Sequence, residues 1–85
     1  MDDKYLAYPT SVKELAYEIK KACNDYKTRR IGNAQLQEII LWYAQNCPDK
    51  LFNGDNYNPT LTTIIGKKRI AILNALLDGY QQRIL

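Results

Sequence analysis

Apolar residues recur every three or four positions along two long stretches, a spacing typical of amphipathic helices. The first stretch predicts a helix over residues 11–28, where Ser11 and Glu14 form a capping box. The second predicts a helix that starts at Asn33, its N-cap, and ends at Pro48, with Gly32 as the left-handed C-cap of the first. Core positions of these two helices are Val12, Leu15, Ala16, Ile19, Ala22, Cys23, Tyr26, Leu36, Ile39, Ile40, Tyr43 and Cys47.

A third apolar-periodic stretch starts at Pro59 and runs to the end of the chain. On an unbroken helix, the apolar residues at 61–65 would lie nearly opposite those at 70–77. We therefore predict a bend or break near Gly66, because glycine weakens a helix interior by about 1 kcal/mol. Residues 1–9 read as an irregular arm and residues 48–58 as a loop. The predicted fold is one all-α domain, residues 1–85, a small bundle of three main helices.

Length and hydropathy limit the protein class. Eighty-five residues suffice for one domain. No apolar run approaches the roughly 18–20 residues of a membrane span, so we expect no membrane contact. The acidic start of the chain lacks the apolar segment of a signal peptide, so we expect no signal peptide. Cys23 and Cys47 are then expected to be buried, unpaired thiols.

The composition argues against ordinary catalysis. The chain has no histidine, so the commonest general base and the Cys–His and Ser–His nucleophile systems are missing. Two thiols without a histidine also make a poor zinc site. Gly66-Lys67-Lys68 does not complete a phosphate-binding loop, because Leu61 and Lys68 stand where glycine and a hydroxyl residue are needed. We predict a non-enzymatic protein without cofactor or metal.

The net charge of +3 is unevenly distributed. Neighbouring cations bind polyanions well because they displace counterions together, although cations at helix ends are often merely solvated. Arg69 falls near the apolar stripe of its helix, so we expect it to extend into solvent or to pair with a carboxylate. The candidate binding cations form two clusters: Lys27, Arg29 and Arg30, and Lys67, Lys68 and Arg69.

Tyrosine and tryptophan supply candidate interface residues, since their rings combine a large apolar body with a polar atom. Tyr17 lies on the polar face of the first predicted helix and Tyr57 lies in the predicted loop. Trp42 lies outside the apolar stripe of the second helix. These three rings are the predicted interface aromatics.

Three segments resemble a family of short uncharacterised proteins from Firmicutes and their mobile elements. They are residues 12–16 with Ile19-Lys20, then Lys50-Leu51-Phe52 with Gly54 and Tyr57, and residues 65–70. The likeness runs from about residue 11 to residue 77. It implies a bacterial, cytoplasmic setting linked to phages or plasmids, and it implies no activity.

The sequence favours a small interaction or regulatory module that acts by binding a protein partner. A nucleic-acid-binding module that uses the two basic clusters is the alternative. In that case the short joint at 29–32 leads into Asn33, Gln35 and Gln37, whose amides suit hydrogen bonds to base edges. The oligomeric state stays open.

Overall fold

The computed structural model describes residues 4–78, which form a mostly helical fold. The prediction of a broadly all-α domain is confirmed, but part of the predicted loop is a small antiparallel ribbon that pairs Phe52 with Tyr57. Its strands are two residues long, too short for an alternating pattern. The first residues of the predicted arm, 1–3, and the end of the predicted third helix, 79–85, lie outside the described residues. The elements are α1 (Val12–Lys27), α2 (Asn33–Asn46), α3 (Pro48–Leu51), β1 (Phe52–Asn53), β2 (Asn56–Tyr57), α4 (Pro59–Ile65) and α5 (Lys67–Leu76).

The joint between α1 and α2 closes differently from the prediction. Arg29 adopts the left-handed conformation at φ 63°, whereas Gly32 has φ −88° and is the N-cap of α2. The N–H of Arg30 donates to the carbonyl of Asp25 at 2.8 Å, and that of Arg29 to Tyr26 at 3.1 Å. These two bonds make a Schellman motif with arginine in the usual glycine position. The predicted roles of Gly32 and Asn33 as caps were therefore wrong, because the helix closes three residues earlier.

The first helix begins as predicted, with one change in its capping bonds. The Glu14 N–H donates to Ser11 Oγ at 3.1 Å, so Ser11 is the N-cap. The Glu14 carboxylate does not return to Ser11. It accepts the backbone N–H of Thr10 at 3.0 Å, one residue further into the preceding segment.

The predicted third helix is two helices separated at Gly66. Gly66 has φ 86°, a conformation that a side chain rarely adopts. The break reorients the chain, and Leu61 and Ile65 before it and Leu73 after it are all fully buried. The conflict between the two apolar stripes is thus resolved by a break rather than by a helix buried on both sides.

The central element is α1, which packs against α2, α3 and α4. Ile19 and Ile40 are fully buried where α1 and α2 contribute to the common core. Cys23 and Cys47 are buried and unpaired, as expected. Burial raises the pKa of both thiols, which keeps them protonated.

The residues before α1 form an arm, residues 4–10, that runs along α1 in the opposite direction. The Glu18 carboxylate accepts the Leu6 N–H at 2.7 Å, about one turn of α1 after Glu14, which accepts the Thr10 N–H. Lys21 Nζ donates to the Lys4 carbonyl at 2.6 Å. The arm is irregular, as predicted, but its backbone is held by side chains of α1.

The other side of the arm is held by α2. The Tyr43 hydroxyl donates to the Leu6 carbonyl at 2.6 Å, and Trp42 Nε1 donates to the Ala7 carbonyl at 2.9 Å. Tyr5 of the arm is itself part of the buried core. The arm therefore fills the space between α1 and α2 and joins the two helices.

Truncating the core at α1 or α2 should test this packing. Ile19→Ala and Ile40→Ala should each lower the free energy of unfolding by about 2–4 kcal/mol, because each leaves a cavity at a fully buried position. Thermal and urea unfolding followed by circular dichroism measures the loss. A change below about 0.5 kcal/mol in either variant would show that the assigned helix faces are wrong.

Candidate polyanion-binding surface

The first basic cluster lines an open groove at the joint between α1 and α2. Lys27, Arg29 and Arg30 are exposed there, and the groove has a volume of about 500 Å³. Its remaining lining is the half-buried Tyr26 and Gln35 with Ile31 and Gly32. A cationic rim over a partly apolar floor suits an anion that also carries an apolar or aromatic surface.

The start of α2 adds to the positive potential of this groove. Gly32 gives no side-chain capping bond, and the first turn of α2 holds no acidic residue. The N–H groups of this turn therefore have no side-chain cap, and they lie at the positive end of the helix dipole. Asn33 and Gln37 are exposed in the first turns of the same helix.

Arg69 brings the second cluster to the last turns of α1. One of its terminal nitrogens donates to Asn24 Oδ1 at 2.8 Å and the other to the Ile65 carbonyl at 3.1 Å. The buried Nε has no hydrogen-bond partner. The sequence predicted that Arg69 would extend into solvent or pair with a carboxylate. It does neither, because its guanidinium donates to the Asn24 amide and to the Ile65 carbonyl. These hydrogen bonds of Arg69 are made within the protein.

Lys67 and Lys68 keep their predicted exposure at the first turn of α5. Burial raises the pKa of the Cys23 thiol on α1, and the charges of Arg69 and Lys27 oppose the rise. We call the six residues of the two clusters the basic surface.

These cations are not neutralised within the protein. In the part of the chain from 4 to 78, the ion pairs are Lys21–Glu18 at 3.9 Å and Lys50–Asp49 at 3.7 Å, both away from the basic surface. The acidic residues of α1 are occupied elsewhere: the carboxylates of Glu14 and Glu18 bind the arm. Asp25 accepts the Tyr5 hydroxyl at 2.6 Å. A positive surface without counter-charges attracts polyanions.

The three predicted interface aromatics have different surroundings. Tyr17 is 50% exposed, in line with its position on the polar face of α1. Trp42 is half-buried; it binds the arm and contacts the Tyr8 ring edge-on at 5.8 Å. Tyr57 is also half-buried and stacks on Phe52 at 5.8 Å. Trp42 and Tyr57 therefore contribute mainly to internal packing.

The chain belongs to a family of conserved hypothetical proteins, whose model matches residues 6–78. The match starts inside the arm, so residues 6–10 of the arm lie within the matched region. No curated protein and no solved structure matches the chain. The Firmicutes origin and the motif pattern of the resemblance stay predictions.

Within residues 4–78, no helix has the length and apolar character to cross a membrane. In the same range, no three Cys, Asp or Glu side chains are grouped so that they could hold a metal ion.

Exchanging Arg69 should separate its structural role from that of its neighbours. Arg69→Ala should lower stability by about 1.5–3 kcal/mol, because it removes a charged donor from Asn24 and Ile65. Lys68→Ala should change stability by less than about 0.5 kcal/mol, as is usual at an exposed position. Urea unfolding of the two variants gives the comparison, and equal stabilities would contradict the assigned role of Arg69.

The Tyr57 hydroxyl provides a test that depends on pH. It is buried without a partner, and burial raises its pKa to about 12. The folded protein then holds this proton more tightly than the unfolded chain, whose tyrosines titrate near 10. Its contribution is complete below about pH 10 and is lost as pH rises towards 12. Tyr57→Phe should therefore be neutral or stabilising at pH 7 and should reduce the loss of stability between pH 10 and 12.

Tyr43→Phe is the matched control for that experiment. It removes a hydroxyl that donates to the arm, so it should lower stability by about 1 kcal/mol at pH 7. Thermal melts across the pH range compare the two variants. Equal destabilisation by both at pH 7 would contradict the assigned environments.

Proposed function

We propose that the protein is a small non-enzymatic module that binds nucleic acid through the basic surface. The observation that supports this best is the hydrogen bond from Arg69 to Asn24, which brings the second basic cluster, about 40 residues later in sequence, to the last turns of α1. A phosphate backbone presents closely spaced charges, and neighbouring cations release its counterions together. The net charge of the chain is mild, but half of its twelve cations belong to the basic surface.

The chemistry beside the cations suits nucleic acid. Phosphate contacts position a protein, and amide side chains can then bind base edges. Asn33 and Gln37 are exposed next to the cationic joint, at the outward-pointing start of α2. The sequence alone favoured a protein partner. The proposal moves to nucleic acid because two of the three predicted interface rings pack internally, while five of the six predicted cations are exposed and unpaired.

The joint offers a variant that removes a cation without harming the fold. Arg29 is held at φ 63°, a backbone conformation whose free energy is about 1 kcal/mol lower for glycine than for a residue with a side chain. Arg29→Gly should therefore leave the melting temperature unchanged or raise it. It should also weaken nucleic-acid binding and flatten the slope of log Kd against log salt by about 0.7–0.9, the effect of one lost phosphate contact.

Fluorescence anisotropy with labelled single strands and duplexes at several salt concentrations measures both effects. Lys50→Ala is the control, because it also removes one charge but Lys50 is paired with Asp49 in α3. The parent should bind at micromolar Kd or tighter at low salt. Absence of binding at low salt, or an equal effect of Arg29→Gly and Lys50→Ala, would overturn the proposal.

A protein partner is the second candidate, and the arm favours it. Leu6 and Tyr8 are 45% and 65% exposed, although the arm backbone is fixed between two helices. Exposed apolar groups on a rigid segment are suitable contacts for another protein. A partner that is captured after nuclease treatment, and is lost with Tyr8→Ala but not with Arg29→Gly, would favour this function over the first.

A further inference from the structure

One face of α1 carries a line of three lysines, of which Lys13 and Lys27 are exposed and Lys20 is half-buried. Only Lys27 belongs to the two predicted clusters. Lys13, Lys20 and Lys27 are seven residues apart, and seven residues turn a helix by about 700°, almost two full turns. The three side chains therefore lie nearly in line along about 21 Å of the helix. Lys27 also lines the groove, so the line leads directly into the basic surface.

This line has no acidic neighbours that neutralise it. None of the three lysines has a carboxylate within 4.0 Å among residues 4–78. Asn24 lies midway between Lys20 and Lys27, and the guanidinium of Arg69 is bonded to it. Arg69 thus adds a fourth positive charge to the same face, even though its hydrogen bonds are internal.

An exposed aromatic ring lies among these cations. Tyr17 follows Lys13 by four residues and precedes Lys20 by three, so the three side chains are neighbours on the helix surface. The ring is half exposed, and among the described residues it has neither a hydrogen-bond partner nor an aromatic neighbour.

Other segments of the chain border this face of α1. The arm is bonded along one side of the helix, at Glu14, Glu18 and Lys21. Near the end of the helix, Arg69 of α5 is bonded to Asn24, which lies on the lysine line itself. A duplex groove is read by a helix that projects into it. A single strand can lie on a flat surface, place its phosphates on cations and stack a base on an exposed ring.

We infer that the exposed face of α1 is a binding track for single-stranded nucleic acid. Lys13, Lys20 and Lys27 contact phosphates, and Tyr17 stacks on a base between them. The inference rests on the proposed function and adds the strand type, the path of the strand and a stacking residue. The track runs from the start of α1 to the groove at the joint.

The test compares a labelled single strand of about 20 nucleotides with the duplex of the same sequence, by fluorescence anisotropy. The single strand should bind more tightly than the duplex at the same salt concentration. Tyr17→Ala should weaken binding of the single strand about tenfold, the size of one lost stacking contact, and leave the duplex almost unaffected. Tyr17→Phe keeps the ring and should retain the affinity.

The lysines are tested in the same assay. Lys13→Ala combined with Lys20→Ala should flatten the salt slope for the single strand by about 1.4, which is 0.7 for each contact. Lys50→Ala should leave that slope unchanged. A strand that carries 5-iodouracil should also crosslink to Tyr17 on irradiation, and peptide mapping of the unmutated protein identifies the attachment site.

The outcomes distinguish this inference from the proposed function. If nucleic acid binds through Arg29 but Tyr17→Ala has no effect and the duplex binds as tightly, the track is wrong and the proposed function stands. Crosslinks that map only to the joint would also overturn the track. If neither single strand nor duplex binds, the track and the proposed function both fall.

Discussion

The attachment of the arm to α1 is the interaction on which the surface of this protein depends. Three acidic side chains of α1 bind the arm: Glu14 and Glu18 accept backbone N–H groups, and Asp25 accepts the Tyr5 hydroxyl. Hydrogen bonds to a carboxylate are stronger than neutral ones, so these contacts hold the arm firmly. They also place all three negative charges of α1 on one side of the helix. The lysines on the other side are left without partners.

A second interaction decides where the two basic clusters lie. Arg69 is separated from Asn24 by 45 residues and bonds to its amide at 2.8 Å. Arginine suits this position because two separate nitrogens of its planar guanidinium donate to Asn24 and to the Ile65 carbonyl, whereas a lysine would have to reach both acceptors from a single nitrogen. This side chain therefore supports the basic surface from inside, while Lys67 and Lys68 present their charges to solvent. Within this triplet, Arg69 therefore has a structural role and the two lysines form part of the surface.

Much of the helical framework could be predicted from the sequence. The spacing of Leu15, Ile19 and Cys23 identified the buried face of α1, and the opposed stripes around Gly66 identified a break. The details of the joint could not be predicted, because glycine is the usual left-handed residue and Arg29 takes that role instead. The ribbon at Phe52 and Tyr57 was missed since two-residue strands leave no periodic signal.

The candidate surface was only partly visible in the sequence. Adjacent cations such as Lys67 and Lys68 are recognisable without a structure, and their exposure agrees with that prediction. The line of Lys13, Lys20 and Lys27 could have been found from its seven-residue spacing. It had little weight by itself, because acidic residues alternate with these lysines along the same helix.

By itself, the sequence determined the helices, the residues of the core and the position of the break, because these follow from local spacing and backbone preferences. Only the tertiary structure decided which charges remain free. The charges of α1 almost cancel when counted along the chain, but its three carboxylates accept hydrogen bonds from the arm, whereas Lys13, Lys20 and Lys27 lie on another face of the helix. Electrostatic character depends on distance in space, and that distance is set by how the arm and α5 pack on α1.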